Sequence, residues 1–362
     1  MTAFFFNKPG RRDAPMTSRL SAALGALALV FSLAADTAEA AAEAPSPPAV
    51  SSKWTVVGHL AADQIIVQSH RGAGVLAEEN TLSAFELGWK LGTYPECDVR
   101  TTSDGVIVTF HDNDFNRVVR NLSPELHTKG VQDVTFATLS TLDVGSWRGS
   151  EFVGHHVPRL AEVFAVTRGR PERHLYLDIK NVDLRSLAAL VREYGVNSQI
   201  ILATPKPEVI REWKTLVPES DTLLWMRGSE EGLRQRIDSL RAAQFAGITQ
   251  LQIHIFPIKE LDQALKLAGA TPKQIAYSPE HPFTTPGPFT LSNEFIVELG
   301  RELRSHQIVF QALPYTEDAS VYAQLLDLGI ASFATDHPDV TLREIKRYCE
   351  QQPSSAAPVN AR

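Results

Sequence analysis

The chain has few cysteines, no excess of positive charge and no long apolar run beyond its first forty residues. Two cysteines in 362 residues cannot build a disulfide framework, and Cys97 with Cys349 is the one pairing available. A formal net charge of −7 excludes a surface made for non-specific nucleic-acid binding, so no nucleic-acid partner is expected. After residue 40 nothing is apolar enough to cross a bilayer, so no stable membrane span is expected in the mature chain. There is no Cys/His zinc pattern, P-loop or Gly-x-Ser-x-Gly elbow, which removes the common nucleotide and serine-hydrolase readings. No Gly-x-Gly-x-x-Gly opens the first turn, and this disfavours a doubly wound dinucleotide-binding sheet. Internal repeats are absent as well.

What is there begins with a targeting pattern. Arg19 precedes the apolar run Leu20–Ala35, and Ala38-Glu39-Ala40 supplies an A-x-A cleavage site. Residues 1–40 read as a signal peptide, and Met16 is an alternative start. The expected location is periplasmic or secreted. An uncleaved anchor is the other reading of the same run. Residues 41–53, rich in Ala, Pro and Ser, read as a flexible linker, and 351–362 as a disordered tail. Residues 54–350 form one domain.

Within that domain, short β-branched runs recur at Gln64–Ser69, Pro95–Val99, His174–Ile179, Gln199–Ala203, Thr222–Met226, Leu251–Ile255, Ile308–Ala312 and Ala331–Thr335. The segments between them carry helical spacing, for example Leu184, Leu187, Leu190 and Val191. Eight strands alternating with helices predict a (β/α)8 TIM barrel. Asp104-Gly105 predicts a β-hairpin after the second strand, pairing Val99 with about Val108 and returning His111 to the level of Glu96. Residues 113–160 show little helical period and predict a long excursion before strand 3, acting as a lid or side wall.

In a barrel, functional groups gather at the C-terminal ends of the strands. His70 ends the first strand, Glu96 and Asp98 the second, and Asp178 and Lys180 the third; Asp336 and His337 follow the eighth. Residues 96 and 98 share a strand face, and Cys97 between them points away. Side-by-side carboxylates repel, and a hard divalent cation with oxygen ligands resolves that conflict. An ion pair with Arg71 or Arg100 would resolve it too. His70 and His111 are candidate general acid and base. Arg71 offers a planar fork for phosphate oxygens and Lys180 a point charge, unless they pair with Glu96 or Asp178 instead. Gly72 suits close backbone approach to a ligand. Asn80 reads as a helix N-cap. Gln252 and His254 alternate on the sixth strand, where a hydrogen-bonded core histidine is the expected role of His254. His155 and His156 are expected to be exposed, His281 to serve a turn, and Trp147 and Phe152 to line an apolar mouth or cover the barrel.

These motifs resemble the glycerophosphodiester phosphodiesterase family. They read His70-Arg71-Gly72, Glu79-Asn80-Thr81 with Ala84-Phe85, Glu96-Cys97-Asp98, Thr102-Ser103-Asp104-Gly105 and His111-Asp112, with Thr335-Asp336-His337-Pro338-Asp339 near the end. The resemblance is dense over 65–118, sparse afterwards, and spans about 65–345. It implies a TIM barrel, Mg2+ or Ca2+, and hydrolysis of a phosphodiester, with a small-molecule phosphodiester or lipid head group as substrate. It also implies that Glu96, Asp98 and Asp178 bind the metal while His70 and His111 move protons; we expect His70 as base and His111 as acid, and the exchanged roles are the alternative. Two departures stand out. Asp178-Ile179-Lys180 replaces the family's Glu-x-Lys, shortening the third ligand by one methylene. Phe310–Tyr315 lacks the Trp of the family's Trp-Thr-x-Asn, which leaves the head group open. Alternatives are a lysophospholipase-D-like or phosphatidylinositol-specific phospholipase-C-like enzyme, and a non-catalytic barrel that binds phosphodiesters or glycans.

Overall fold

All eight β-branched runs form parallel strands. The computed structural model describes residues 60–275 and 287–351. The signal peptide, the linker, residues 54–59, His281 and the tail beyond Gln351 lie outside the described residues. The barrel strands are β1 (Ile66–Ser69), β2 (Tyr94–Thr101), β4 (Leu175–Asn181), β5 (Ile200–Thr204), β6 (Asp221–Met226), β7 (Gln250–His254), β8 (Val309–Leu313) and β9 (Ser332–Thr335). They close in the order β1-β2-β4-β5-β6-β7-β8-β9, and β9 pairs back onto β1. The short β3 (Ile107–Thr109) is antiparallel to the end of β2 and lies outside the closed ring. The architecture is the expected (β/α)8 barrel.

The outward strand residues and the inward helix faces form the main core. In α4 (Leu184–Tyr194), Leu184, Leu187, Ala188 and Val191 are buried at helical spacing. Each of the leucine and valine side chains contributes about 1.5–3 kcal/mol relative to exposure. Asp183 caps this helix by accepting from the Ser186 N–H at 2.8 Å. Cys97 belongs to the same outer core, and both cysteines are free. The strand interior is unusually polar below the mouth. Gln311 donates to Ser332 Oγ at 2.9 Å, and the Tyr176 hydroxyl donates to Gln250 at 2.7 Å.

The hairpin forms, but one residue out of the expected register. Val99 pairs with Thr109 and Arg100 with Val108. Thr102 N–H donates to the Val106 carbonyl at 2.9 Å, so the loop is the three residues Ser103-Asp104-Gly105, with Gly105 at φ +83°. A three-residue loop ending in a left-handed glycine takes one more residue than the two-residue turn and shifts the pairing accordingly.

The excursion has a core of its own. Phe115, Val118, Val131, Leu139 and Val157 are buried against Val108 and Phe110 of the hairpin. Its only α-helix before α3 (Leu160–Thr167) is the one-turn α2 (Phe136–Leu139). Asp104 fastens it by accepting from the Phe136 N–H at 2.9 Å. Trp147 packs on this core and Phe152 on Ala73, Ala77 and Ala84, so both serve as cover. Among the described residues, no helix is long and apolar enough to cross a membrane.

Candidate active site

β2 and β4 bring the carboxylates together. Asp98 and Asp178 are register partners on adjacent parallel strands, and Glu96 lies two residues back on the same face of β2. Glu96, Asp98 and Asp178 each offer an oxygen within 4.8 Å of the others. Glu96 is pushed up to about 8, by burial first and then by the charge of Asp98. Asp98 goes the other way: burial opposes its ionisation, but Lys180, His111 and Arg71 outweigh it. Burial and Asp98 raise Asp178 against the pull of Lys180. Lys180 Nζ sits 2.6 Å from Asp178 and 3.0 Å from Asp98. Glu96 Oε1 is buried without a partner, whereas Oε2 accepts from the Arg71 backbone N–H at 2.8 Å. Three converging carboxylates, one with an orphaned oxygen, fit a hard divalent cation. The shorter Asp178 still reaches the cluster.

Asn80 is not the helix cap. Thr81 caps α1 (Leu82–Leu91), its hydroxyl accepting from Ala84 N–H. Asn80, at φ +56°, instead donates to Asp98 Oδ2 at 2.8 Å and accepts from Asp98 N–H at 2.9 Å. A cap only needs a side-chain oxygen, whereas this two-way bond uses both ends of the amide. Gly72 meets a packing demand: at φ +113°, an added Cβ would lie 2.7 Å from Ala84 Cβ.

His70 follows β1, and its Nδ1 lies 2.7 Å from Asp336 Oδ1. Burial disfavours its protonation, but Asp336 outweighs burial and raises its pKa. Arg71, at φ +52°, reaches Glu79 at 3.0 Å and Asp98 at 3.9 Å. His111 returns on the hairpin and lines the same cavity as His70, Arg71 and Glu96. Its Nδ1 is 2.6 Å from Asp112 Oδ1. Both imidazoles thus have Nδ1 on a carboxylate, which leaves Nε2 as the nitrogen for proton transfer. Arg100 pairs with no carboxylate among the described residues; it donates to the His111 carbonyl at 2.7 Å and to Asn113 at 2.9 Å, pinning the hairpin end.

Three partners carry roles that sequence spacing did not assign. Asp336 orients His70. Arg117 donates to Asp112 at 2.6 Å and, through its two terminal nitrogens, to Glu79 at 2.6 and 2.7 Å. Glu79 is thereby shared by Arg71 and Arg117. Arg117 lies in the aperiodic excursion, where nothing but its distance from His111 could have marked it. His155 is partly exposed, and its Nδ1 bonds the buried Glu78 at 2.5 Å, whereas His156 is exposed as expected. His254 is not a hydrogen-bonded core residue: its Nδ1 is buried without a partner on the cavity wall. The cavity measures about 800 Å³. Trp225, half-buried and donating to Asp178 at 3.3 Å, and Tyr315 supply aromatic walls in the absence of the strand-8 Trp.

Residues 70–340 match the glycerophosphoryl diester phosphodiesterase family. A glycerophosphodiester phosphodiesterase of Bacillus subtilis is 23% identical over 312 residues, spanning 84% of this chain and 93% of that protein. One from Caldanaerobacter subterraneus is 29% identical over 199 residues, covering 51% and 79%. Among solved structures, a glycerophosphoryl diester phosphodiesterase of Parabacteroides distasonis superposes with TM-score 0.56 at 18% identity, over 85% of this chain and 96% of that one. A phosphodiesterase of Oleispira antarctica, solved with its product sn-glycerol-3-phosphate, gives 0.54 at 21% identity, over 77% and 96%. The chain therefore belongs to the glycerophosphoryl diester phosphodiesterase family, whose members are phosphoric diester hydrolases.

Proposed function

We propose that this protein hydrolyses glycerophosphodiesters to an alcohol and glycerol phosphate. The observation that carries the reading is the pairing of two carboxylate-held histidines, His70–Asp336 and His111–Asp112, on one cavity with Arg71 and the three-carboxylate cluster. Glu96, Asp98 and Asp178 would hold Mg2+ or Ca2+, which when bound neutralises charge on the phosphoryl oxygens. Arg71, held by Glu79, presents its fork to the phosphate. His70 Nε2 takes the proton from the nucleophile, either water or a neighbouring substrate hydroxyl whose attack gives a cyclic phosphodiester that water then opens to glycerol phosphate. Asp336 stabilises the imidazolium that forms. His111 Nε2 gives a proton to the departing alkoxide oxygen, with Asp112 and Arg117 fixing its ring. Lys180 neutralises Asp98 and Asp178 and lines the cavity, where it would add positive charge for the phosphate.

A lysophospholipase-like activity finds no support in the excursion. Phe115, Val118, Val131, Leu139 and Val157 turn into its own core, and Arg117 is its one residue on the cavity wall. A panel of glycerophosphodiesters and lysophospholipids, assayed with EDTA and with single metals added back, tests the proposal. Glycerophosphodiester turnover should vanish in EDTA and return with Mg2+ or Ca2+, and Asp98→Asn should stay inactive in every metal. Full activity of metal-stripped enzyme would contradict it.

We also propose export. The motivation is the apolar run before Ala38-Glu39-Ala40. N-terminal sequencing of native protein should begin near Ala41; retention of residues 20–35 would point to an anchor.

A further inference from the structure

Asn80 is 2% exposed, and three segments that carry the site meet on it. Its backbone N–H donates to the Arg71 carbonyl at 2.9 Å. Its carbonyl accepts from the Thr109 hydroxyl at 2.7 Å, two residues before His111. The main chain is thus pinned on both sides, at φ +56°. Asparagine accepts this left-handed conformation more readily than most residues. The side chain is left facing Asp98 of β2.

That side chain makes two bonds to one residue. Nδ2 donates to Asp98 Oδ2 at 2.8 Å, and Oδ1 accepts from the Asp98 N–H at 2.9 Å. The carboxylate can only accept and the backbone N–H can only donate, so a single orientation of the amide satisfies both. Asp98 is 1% exposed, and its other oxygen, Oδ1, faces Lys180 at 3.0 Å. The two holders differ in kind. Lys180 carries a charge that competes with a cation for Asp98, whereas the neutral amide orients the carboxylate without neutralising it. Glu96 is held by the Arg71 N–H, and Asp178 by Lys180 and Trp225. For Asp98, one side chain grips both the carboxylate and the residue's own N–H.

Resting on the proposal that Glu96, Asp98 and Asp178 hold Mg2+ or Ca2+, we infer that Asn80 is a positioning residue for the cation. It fixes the Asp98 carboxylate in its binding orientation before the ion arrives. An outer partner of this kind is worth about 10–100-fold in metal affinity. Asn80 thus acts on the reaction through the metal and not through the substrate.

Asn80→Gly separates the side chain from the backbone, because glycine adopts a positive φ without strain. Calorimetry of the metal-stripped protein with MgCl2 and with CaCl2 reads the affinity, and the metal-free Tm reports the fold. Asn80→Gly should bind the ion about 10–100-fold more weakly than the wild type. Its loss of kcat on a glycerophosphodiester should shrink as the metal concentration rises. Wild-type affinity in Asn80→Gly overturns the inference and leaves the metal site standing, and so does a rate loss that excess metal does not relieve. Should Asn80→Gly not fold, Asn80→Ser is read in the same way, since its side chain is too short to span the Asp98 N–H and carboxylate. A wild type that binds neither ion overturns the metal site, and the inference with it.

Discussion

The two sides of the barrel mouth satisfy their charges in opposite ways. On the side built by β1, β2, the hairpin and the excursion, Arg71 meets Glu79, Arg117 meets Glu79 and Asp112, and His70 meets Asp336. On the side built by β6, β7 and α7 (Leu261–Leu267), Arg227, Lys266 and His254 meet no carboxylate among the described residues. Proton transfer needs groups fixed before the substrate arrives, and mutual ion pairs supply that fixity. The paired side thus carries the groups proposed to move protons.

The paired side can be broken at its hub. Arg117 is one cation bridging the partners of Arg71 and of His111, and Arg117→Ala should release both. A loss of about 10²-fold in kcat/KM is expected, the scale associated with misplacing a reacting group by about 1 Å. Arg117→Lys should recover little, because a point charge cannot span two carboxylates as a guanidinium fork does. Steady-state kinetics of both variants would check this, and wild-type rates in Arg117→Ala would show that the network does not position the histidines.

A smaller effect should come from Glu78, which ties the paired side to the barrel through His155. Burial works against its ionisation, but hydrogen bonds from Ser83, Thr81 and His155 outweigh burial and lower its pKa. A carboxyl with a lowered folded-state pKa stabilises the fold above its unfolded value, about 4.3, and that contribution is lost as pH falls through the folded value. Glu78→Gln should cost about 1 kcal/mol near neutral pH and flatten the acid limb of Tm against pH. An unchanged acid limb would remove Glu78 from the account.

The paired side was largely legible in the sequence, for a physical reason. His70, Glu96, Asp98 and His111 lie within about forty residues, on strands and a hairpin whose period and turn residues dictate where side chains point. The eight strands were legible because parallel strands covered on both faces are continuous apolar runs. The hairpin register was not, since Asp104-Gly105 serves a two- or a three-residue loop equally well. Arg117 escaped because the excursion folds around its own core with no period to read. Asp336 stood in plain view in Thr335-Asp336-His337, but its partner is 266 residues away. His254 was misjudged because a strand-end histidine on a polar wall has the same local sequence as one bonded in the core.

The claim that ties site to reaction is that His111, held by Asp112 on the returning hairpin, is the general acid opposite His70. The measurement is kcat of His111→Ala on a glycerophosphodiester and on an aryl phosphodiester, with His70→Ala measured alongside. His111→Ala should lose about 10²–10⁴-fold on the glycerophosphodiester and far less on the aryl diester, whose leaving group needs no proton. His70→Ala should be impaired on both. Equal losses on the two substrates in His111→Ala would contradict its role as acid, and the reverse pattern would exchange the two histidines.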